Sequence, residues 1–158
     1  MIAPRSAVFW TRSRRPTGKQ NGMFLAFRSA DAKDWRSQVA IALDHSGSHH
    51  KLQFHHIFPK AVLKSSYSAR EADDIANLCF IAGKTNRQIS DKPPKQYFPE
   101  MIEKSGPTAF EAQCIPMEPS ILGIEGYKAF LQRRRDLVAQ RLNQFLGTGG
   151  DSTSSRRS

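Results

Sequence analysis

The sequence predicts an α+β domain, and three observations carry that expectation. A histidine-bearing apolar run, KLQFHHIF (Lys51–Phe58), reads as a strand stopped by Pro59. Short segments with helix-start signals follow it, and the last part of the chain holds a long stretch whose apolar residues recur at helical spacing. All five histidines fall between His45 and His56, so the imidazole chemistry is concentrated in one place.

Residues 1–22 carry Arg5, Arg12, Arg14, Arg15 and Lys19, with no acid before Asp31, and residues 147–158 read GTGGDSTSSRRS. Neither end has the apolar content to offset its ordering entropy. The expected organisation is a basic, disordered arm (1–22), one folded domain (23–146) and a disordered tail (147–158). Met23–Ser29 is apolar without a breaker and reads as a short helix. Trp35–Leu43 ends in VAIAL and reads as a strand. DHSGSHH (Asp44–His50) is then a turn, and KLQFHHIF the returning strand of a hairpin.

Pro59 suits the first turn of a helix, PKAVLKSS. Ser68 stands three residues before Glu71, a capping-box pattern that opens a helix through Ala76. NLCFIA (Asn77–Ala82) is either a strand or a buried connector; Gly83 breaks it, and Lys84–Ser90 resembles a further helical turn. Pro93 and Pro94 start an irregular segment through PKQYFPE, with Tyr97 and Phe98 docked on the core. From Ile124 to Leu146, Tyr127, Leu131, Val138, Leu142 and Phe145 mark one face of an amphipathic helix. Arg133, Arg134, Arg135 and Arg141 line the rest, either as a solvated face or as phosphate contacts.

The 158 residues carry a net charge of +10 and a pI of about 10.1. Such an excess favours a polyanionic partner. No apolar run approaches the roughly 18 residues of a membrane span, so nucleic acid is the expected partner and a membrane is not. Met1–Trp10 shows no signal-peptide pattern. Cys79 and Cys114 form no C-x-x-C, which argues against a disulfide framework or a zinc ribbon. They read as small buried hydrophobes in a reducing, cytoplasmic setting.

Three chemical elements then occur in order: His55-His56 at a strand end, Asn77 at the start of a connector, and Asn86 nine residues later. A strand histidine and a helix asparagine can hold one divalent metal beside one unliganded imidazole. That pair suits phosphodiester hydrolysis, because neutral imidazole, with a pKa of about 6.5, can take a proton from water. Metal charge offsets the charge growing on the phosphate. His45, His49 and His50 read as solvated loop residues, or alternatively as an adventitious metal site or groups that reach the substrate.

HHIFP, then DDIANL (Asp73–Leu78), then TNRQISDKPP (Thr85–Pro94) resembles the HNH, or His-Me finger, endonuclease pattern. That resemblance implies a ββα-metal core embedded in helices and closed by the long C-terminal helix. It implies His55 and Asn86 as metal ligands and His56 as general base. Asn77 would brace the loop that carries the base. The implied cofactor is one divalent ion, magnesium or manganese, with zinc, nickel or cobalt also able to bind. Lys60, Arg87 and Lys92 flank the motif and are expected to contact the DNA backbone.

A broader stretch, about Phe24 to Phe145, resembles the C-terminal HNH region of GmrSD-type restriction proteins, which attack modified phage DNA. The nucleotide-hydrolysing domain of that group, with its Asp-Gly-Gln-Gln-Arg-like motif, has no counterpart here. The expectation is a detached nuclease part or a truncated remnant of a phage-defence restriction system. It would either cleave DNA itself, act beside a separate nucleotide-hydrolysing subunit, or bind nucleic acid without cleaving it.

Overall fold

A computed structural model describes residues 18–41 and 52–148; the expected turn 44–50, with His45, His49 and His50, lies outside them. The elements run α1 (Gly18–Ser29), β1 (Leu52–His56), α2 (Lys60–Leu63), α3 (Ala69–Ala72), β2 (Leu78–Ala82), α4 (Gly83–Ile89), α5 (Pro94–Ser105), α6 (Thr108–Glu111) and α7 (Tyr127–Thr148). Short 3-10 turns precede β2 and α7, at Ile75–Asn77 and Ile124–Gly126. The architecture is α+β: a small antiparallel sheet set among helices. Helix α1 begins inside the span read as a basic arm, and α7 runs two residues past the expected end of the domain.

The expected hairpin is corrected. β1 pairs with β2, in the register Leu52↔Ala82 through His56↔Leu78, and, among the described residues, 35–41 add no strand to that sheet. LCFIA is buried along most of its length, which is what a strand covered on both faces needs. Residues 32–41 instead close on themselves, with Asp34 N–H donating to Val39 O at 2.8 Å and Ile41 N–H to Ala32 O at 3.0 Å. The Asp34 carboxylate is the hub of that loop. It accepts from Ala82 N–H (2.7 Å), Thr85 Oγ1 (2.7 Å), Ser37 Oγ (2.8 Å) and Ser37 N–H (2.9 Å). The buried charge is thereby satisfied, and it ties the start of α4 to the sheet.

The irregular segment is also corrected: Pro93 caps and Pro94 opens the 12-residue helix α5. A proline at the first helical position loses an N–H that has no helical partner anyway, so the pair starts the helix instead of preventing it. Tyr97 and Phe98 are buried as expected. The capping box of Ser68 and Glu71 is present, although α3 is a single turn, and the chain reaches Asn77 through the 3-10 turn.

The core is aromatic. Trp35 stacks on Phe110 with ring centroids 4.5 Å apart, and Phe58 meets Tyr127 and Phe130 at 5.0 Å each. A second cluster joins Met23, Phe24 and Phe27 of α1 to Phe80 of β2.

Arg134 departs from the expected exposed arginine face. It is fully buried, and its guanidinium donates to Ala76 O (2.8 Å), Leu78 O (2.6 Å) and Gln113 O (3.2 Å). Burial lowers its pKa to about 10, so it stays cationic at neutral pH, held by carbonyl dipoles. Gln113, also buried, pairs with both backbone groups of Phe80 as a neighbouring strand would.

Candidate functional site

The site is built on the end of β1, the loop after it and helix α4. Side chains alternate along a strand, so Gln53 and His55 share the face turned to α4, and His56 takes the other. Asn86, one turn into α4, places Oδ1 2.8 Å from His55 Nδ1, across 31 residues of sequence. Its amide Nδ2–H donates to Gln53 Oε1 at 2.9 Å, which orients the oxygen towards the imidazole. Gly83 allows this close approach: a Cβ there would stand 2.9 Å from Gln53 Nε2. His55 is buried and edge-on to Trp35 and Tyr97. Burial, together with the nearby His56, outweighs the hydrogen bond to Asn86 and lowers its pKa to about 4. The ring is therefore neutral at pH 7, and because Asn86 Oδ1 can only accept, Nδ1 carries the proton and donates it to that oxygen. Among the described residues, its buried Nε2 meets no hydrogen-bond partner.

His56 faces the loop. Its Nε2–H donates to Asp73 Oδ1 at 3.0 Å, and the same oxygen accepts from Lys60 Nζ. Burial lowers the His56 pKa, opposed by Asp73 and assisted by Lys60, so this ring too is neutral near pH 7. Burial works to raise the Asp73 pKa, and the bonds from Lys60 and His56 outweigh it, leaving a carboxylate.

Asn77 is fully buried behind the loop. Its Oδ1 accepts from Phe58 N–H at 2.8 Å, and its Nδ2 donates to Phe58 O and Ala72 O at 3.0 Å each. Its own carbonyl accepts from Ile57 N–H at 2.8 Å. Tyr97 OH donates to Ile57 O at 2.9 Å. The two residues after His56 are thus fixed on several sides.

Of the residues expected to matter, His55 and Asn86 meet, His56 and Lys60 meet at Asp73, and Asn77 locks the connecting loop. Arg87 and Lys92 are exposed, on α4 and just beyond it. Two α7 arginines read as possible phosphate contacts are held by acids, Arg133 by Glu118 and Arg135 by Asp74. Sequence reasoning missed Gln53 and Asp73. Gln53 was detectable from its two-residue spacing to His55, whereas Asp73 had no such signal.

The donor set can be compared with a divalent ion. Adjacent vertices of an octahedron with bonds of about 2.1 Å lie about 3 Å apart, close to the 2.8 Å between His55 Nδ1 and Asn86 Oδ1. The spacing would suit two adjacent ligands of such an ion once Nδ1 gives up its proton to Nε2. Among the described residues, no group of three or more His, Cys, Asp or Glu could hold a metal, so any ion here would rest on the imidazole and the amide. A cleft of about 530 Å³, lined by residues such as Ile115, Met117, Leu137 and Arg141, contains none of these groups. Among the described residues, no helix is long and apolar enough to cross a membrane.

No family model matches the chain, and no solved structure matches it. An uncharacterized protein of Methanocaldococcus jannaschii is 42% identical over 57 residues, a match that spans 35% of this chain and 10% of that protein.

Proposed function

We propose that the chain is a metal-dependent DNA endonuclease of the HNH type, the nuclease part of a phage-defence restriction system. The observation that carries the reading is the meeting of His55 Nδ1 and Asn86 Oδ1 at 2.8 Å; the second neutral imidazole, His56, leaves β1 on the other face, so the reading requires the strand end to bend until both rings reach one phosphate. His55 and Asn86 would hold one divalent ion. Magnesium or manganese suits the amide oxygen, and zinc, nickel or cobalt suits the imidazole. When bound, the ion supplies positive charge against the phosphate and leaving oxygens.

His56 takes a proton from water as the water oxygen forms its bond to phosphorus. The P–O3′ bond breaks, leaving a 5′-phosphate and a 3′-oxygen that takes its proton from solvent. Asn77 keeps His56 in place by pinning Phe58. Lys60, Arg87 and Lys92 offer cations to the backbone phosphates, and a net charge of +10 favours the encounter.

The test is plasmid nicking by wild type and His56→Ala, with magnesium, with manganese and with chelator. Wild type should nick only with metal, and His56→Ala should be about 10²–10⁴-fold slower while binding DNA equally. Equal rates would remove His56 as the base. A second reading is a nucleic-acid-binding module without cleavage. It is favoured by the direct His55–Asn86 hydrogen bond, which satisfies the amide without any ion. It predicts salt-sensitive DNA binding and no nicking under any metal.

A further inference from the structure

His56 is held from one side by a carboxylate that the motif does not contain. Its Nε2–H donates to Asp73 Oδ1 at 3.0 Å. A neutral imidazole with its proton on Nε2 has its lone pair on Nδ1. We propose that Asp73 is a positioning residue that fixes the tautomer of His56, so that Nδ1 is the atom that takes the proton from water. This role rests on the nuclease reading.

The surroundings favour that assignment. Asp73 closes α3 as its C-cap residue, and its backbone N–H is bonded to Ala69 O and Glu71 O. The carboxylate therefore stands on a fixed turn. A bare carboxylate beside a DNA backbone would repel it. Lys60 shares the same Asp73 oxygen and offsets that charge, so the carboxylate can serve His56 without making the site anionic. The carboxylate also stabilises the imidazolium formed once the proton has moved. The proton travels from water to Nδ1 and later to solvent, while Nε2 keeps its proton and Asp73 stays a carboxylate.

Two variants and two readouts test this. Asp73 has a side-chain exposure of 51%, so Asp73→Ala removes its bonds to His56 and Lys60 and little core packing; Asp73→Asn keeps the size as a second variant. Long-range proton–nitrogen spectra of metal-free protein at pH 8 report the His56 tautomer without any activity. Wild type should show the Nε2–H form, and Asp73→Ala a shift towards a mixture. In nicking assays both variants should lose about 10–100-fold in kcat, with DNA affinity unchanged or tighter because a carboxylate has gone. An Nδ1–H tautomer in wild type overturns the proposal, and so does an unchanged kcat in both variants while wild type nicks. Absence of metal-dependent nicking by wild type overturns the nuclease reading itself, and this role with it.

Discussion

Asn77 and Phe58 are bonded to each other twice: Oδ1 accepts the Phe58 N–H at 2.8 Å and Nδ2 returns a bond to the Phe58 carbonyl at 3.0 Å. The side chain acts as an extra strand residue, holding the backbone just past His56 where regular pairing has ended. Asn77→Ala should cost about 2–4 kcal/mol in urea denaturation, because it strands buried backbone groups. Asn77→Asp is the sharper variant. It keeps the acceptor but turns a second oxygen towards the carbonyls of Phe58 and Ala72. At pH 7 it should be at least as destabilised as Asn77→Ala, and its deficit relative to wild type at the same pH should shrink at low pH, where a protonated carboxyl can donate again. Stability within about 0.5 kcal/mol of wild type would mean that the brace is unimportant.

Asn86→Ala should act on metal dependence before anything else. In the proposed ion site the amide oxygen would be one of two protein donors, so its loss should raise the metal concentration for half-maximal nicking at least about tenfold. Saturating metal should restore part of the rate. A metal titration identical to wild type would take Asn86 out of the ligand set.

These residues differ in how far the sequence revealed them. His55, Asn86 and Asn77 are singled out by residue type and spacing, and the structure adds the contacts they make: His55 with Asn86, and Asn77 with Phe58. The pairing of β1 with β2 was hidden, because a strand's partner depends on long-range burial and VAIAL looks as strand-like as LCFIA. Asp73 and Asp34 were hidden for another reason: a carboxylate next to turns reads as a solvated or capping residue until the fold shows what it bonds. The α7 stripe held an unread clue. From Tyr127 and Leu131 to Val138 the helical spacing leaves one gap, and Arg134 fills it on the buried side.

In metal-free protein, His55 makes stability depend on pH. Its folded-state pKa is about 4 against 6.5 for the free side chain. Above pH 6.5 both states are mostly neutral, and the stabilisation is complete. As pH falls from 6.5 towards 4 the unfolded chain binds a proton that the buried ring refuses, so stability drops, by about 3 kcal/mol in all. Urea titrations with chelator should show this fall, and His55→Gln should lack that part of it. Parallel curves for the two proteins would mean that His55 is not buried neutral.

Arg134 tests how the long helix supports the site. Its guanidinium bonds the carbonyls of Ala76 and Leu78, the residues on either side of Asn77, so α7 clamps the turn that presents the brace. Arg134→Ala should cost about 3–5 kcal/mol, since three carbonyls lose a charged donor and a large side chain leaves a cavity. Arg134→Lys should fail to rescue it fully. An ammonium is a point charge on a single stem and cannot match the planar fork that reaches Ala76, Leu78 and Gln113 together. A loss of about 1–3 kcal/mol is expected for lysine, with the midpoint of urea unfolding as the measure. If lysine matches wild type, the carbonyls need only a positive charge and not the fork, and the clamp is electrostatic instead of geometric.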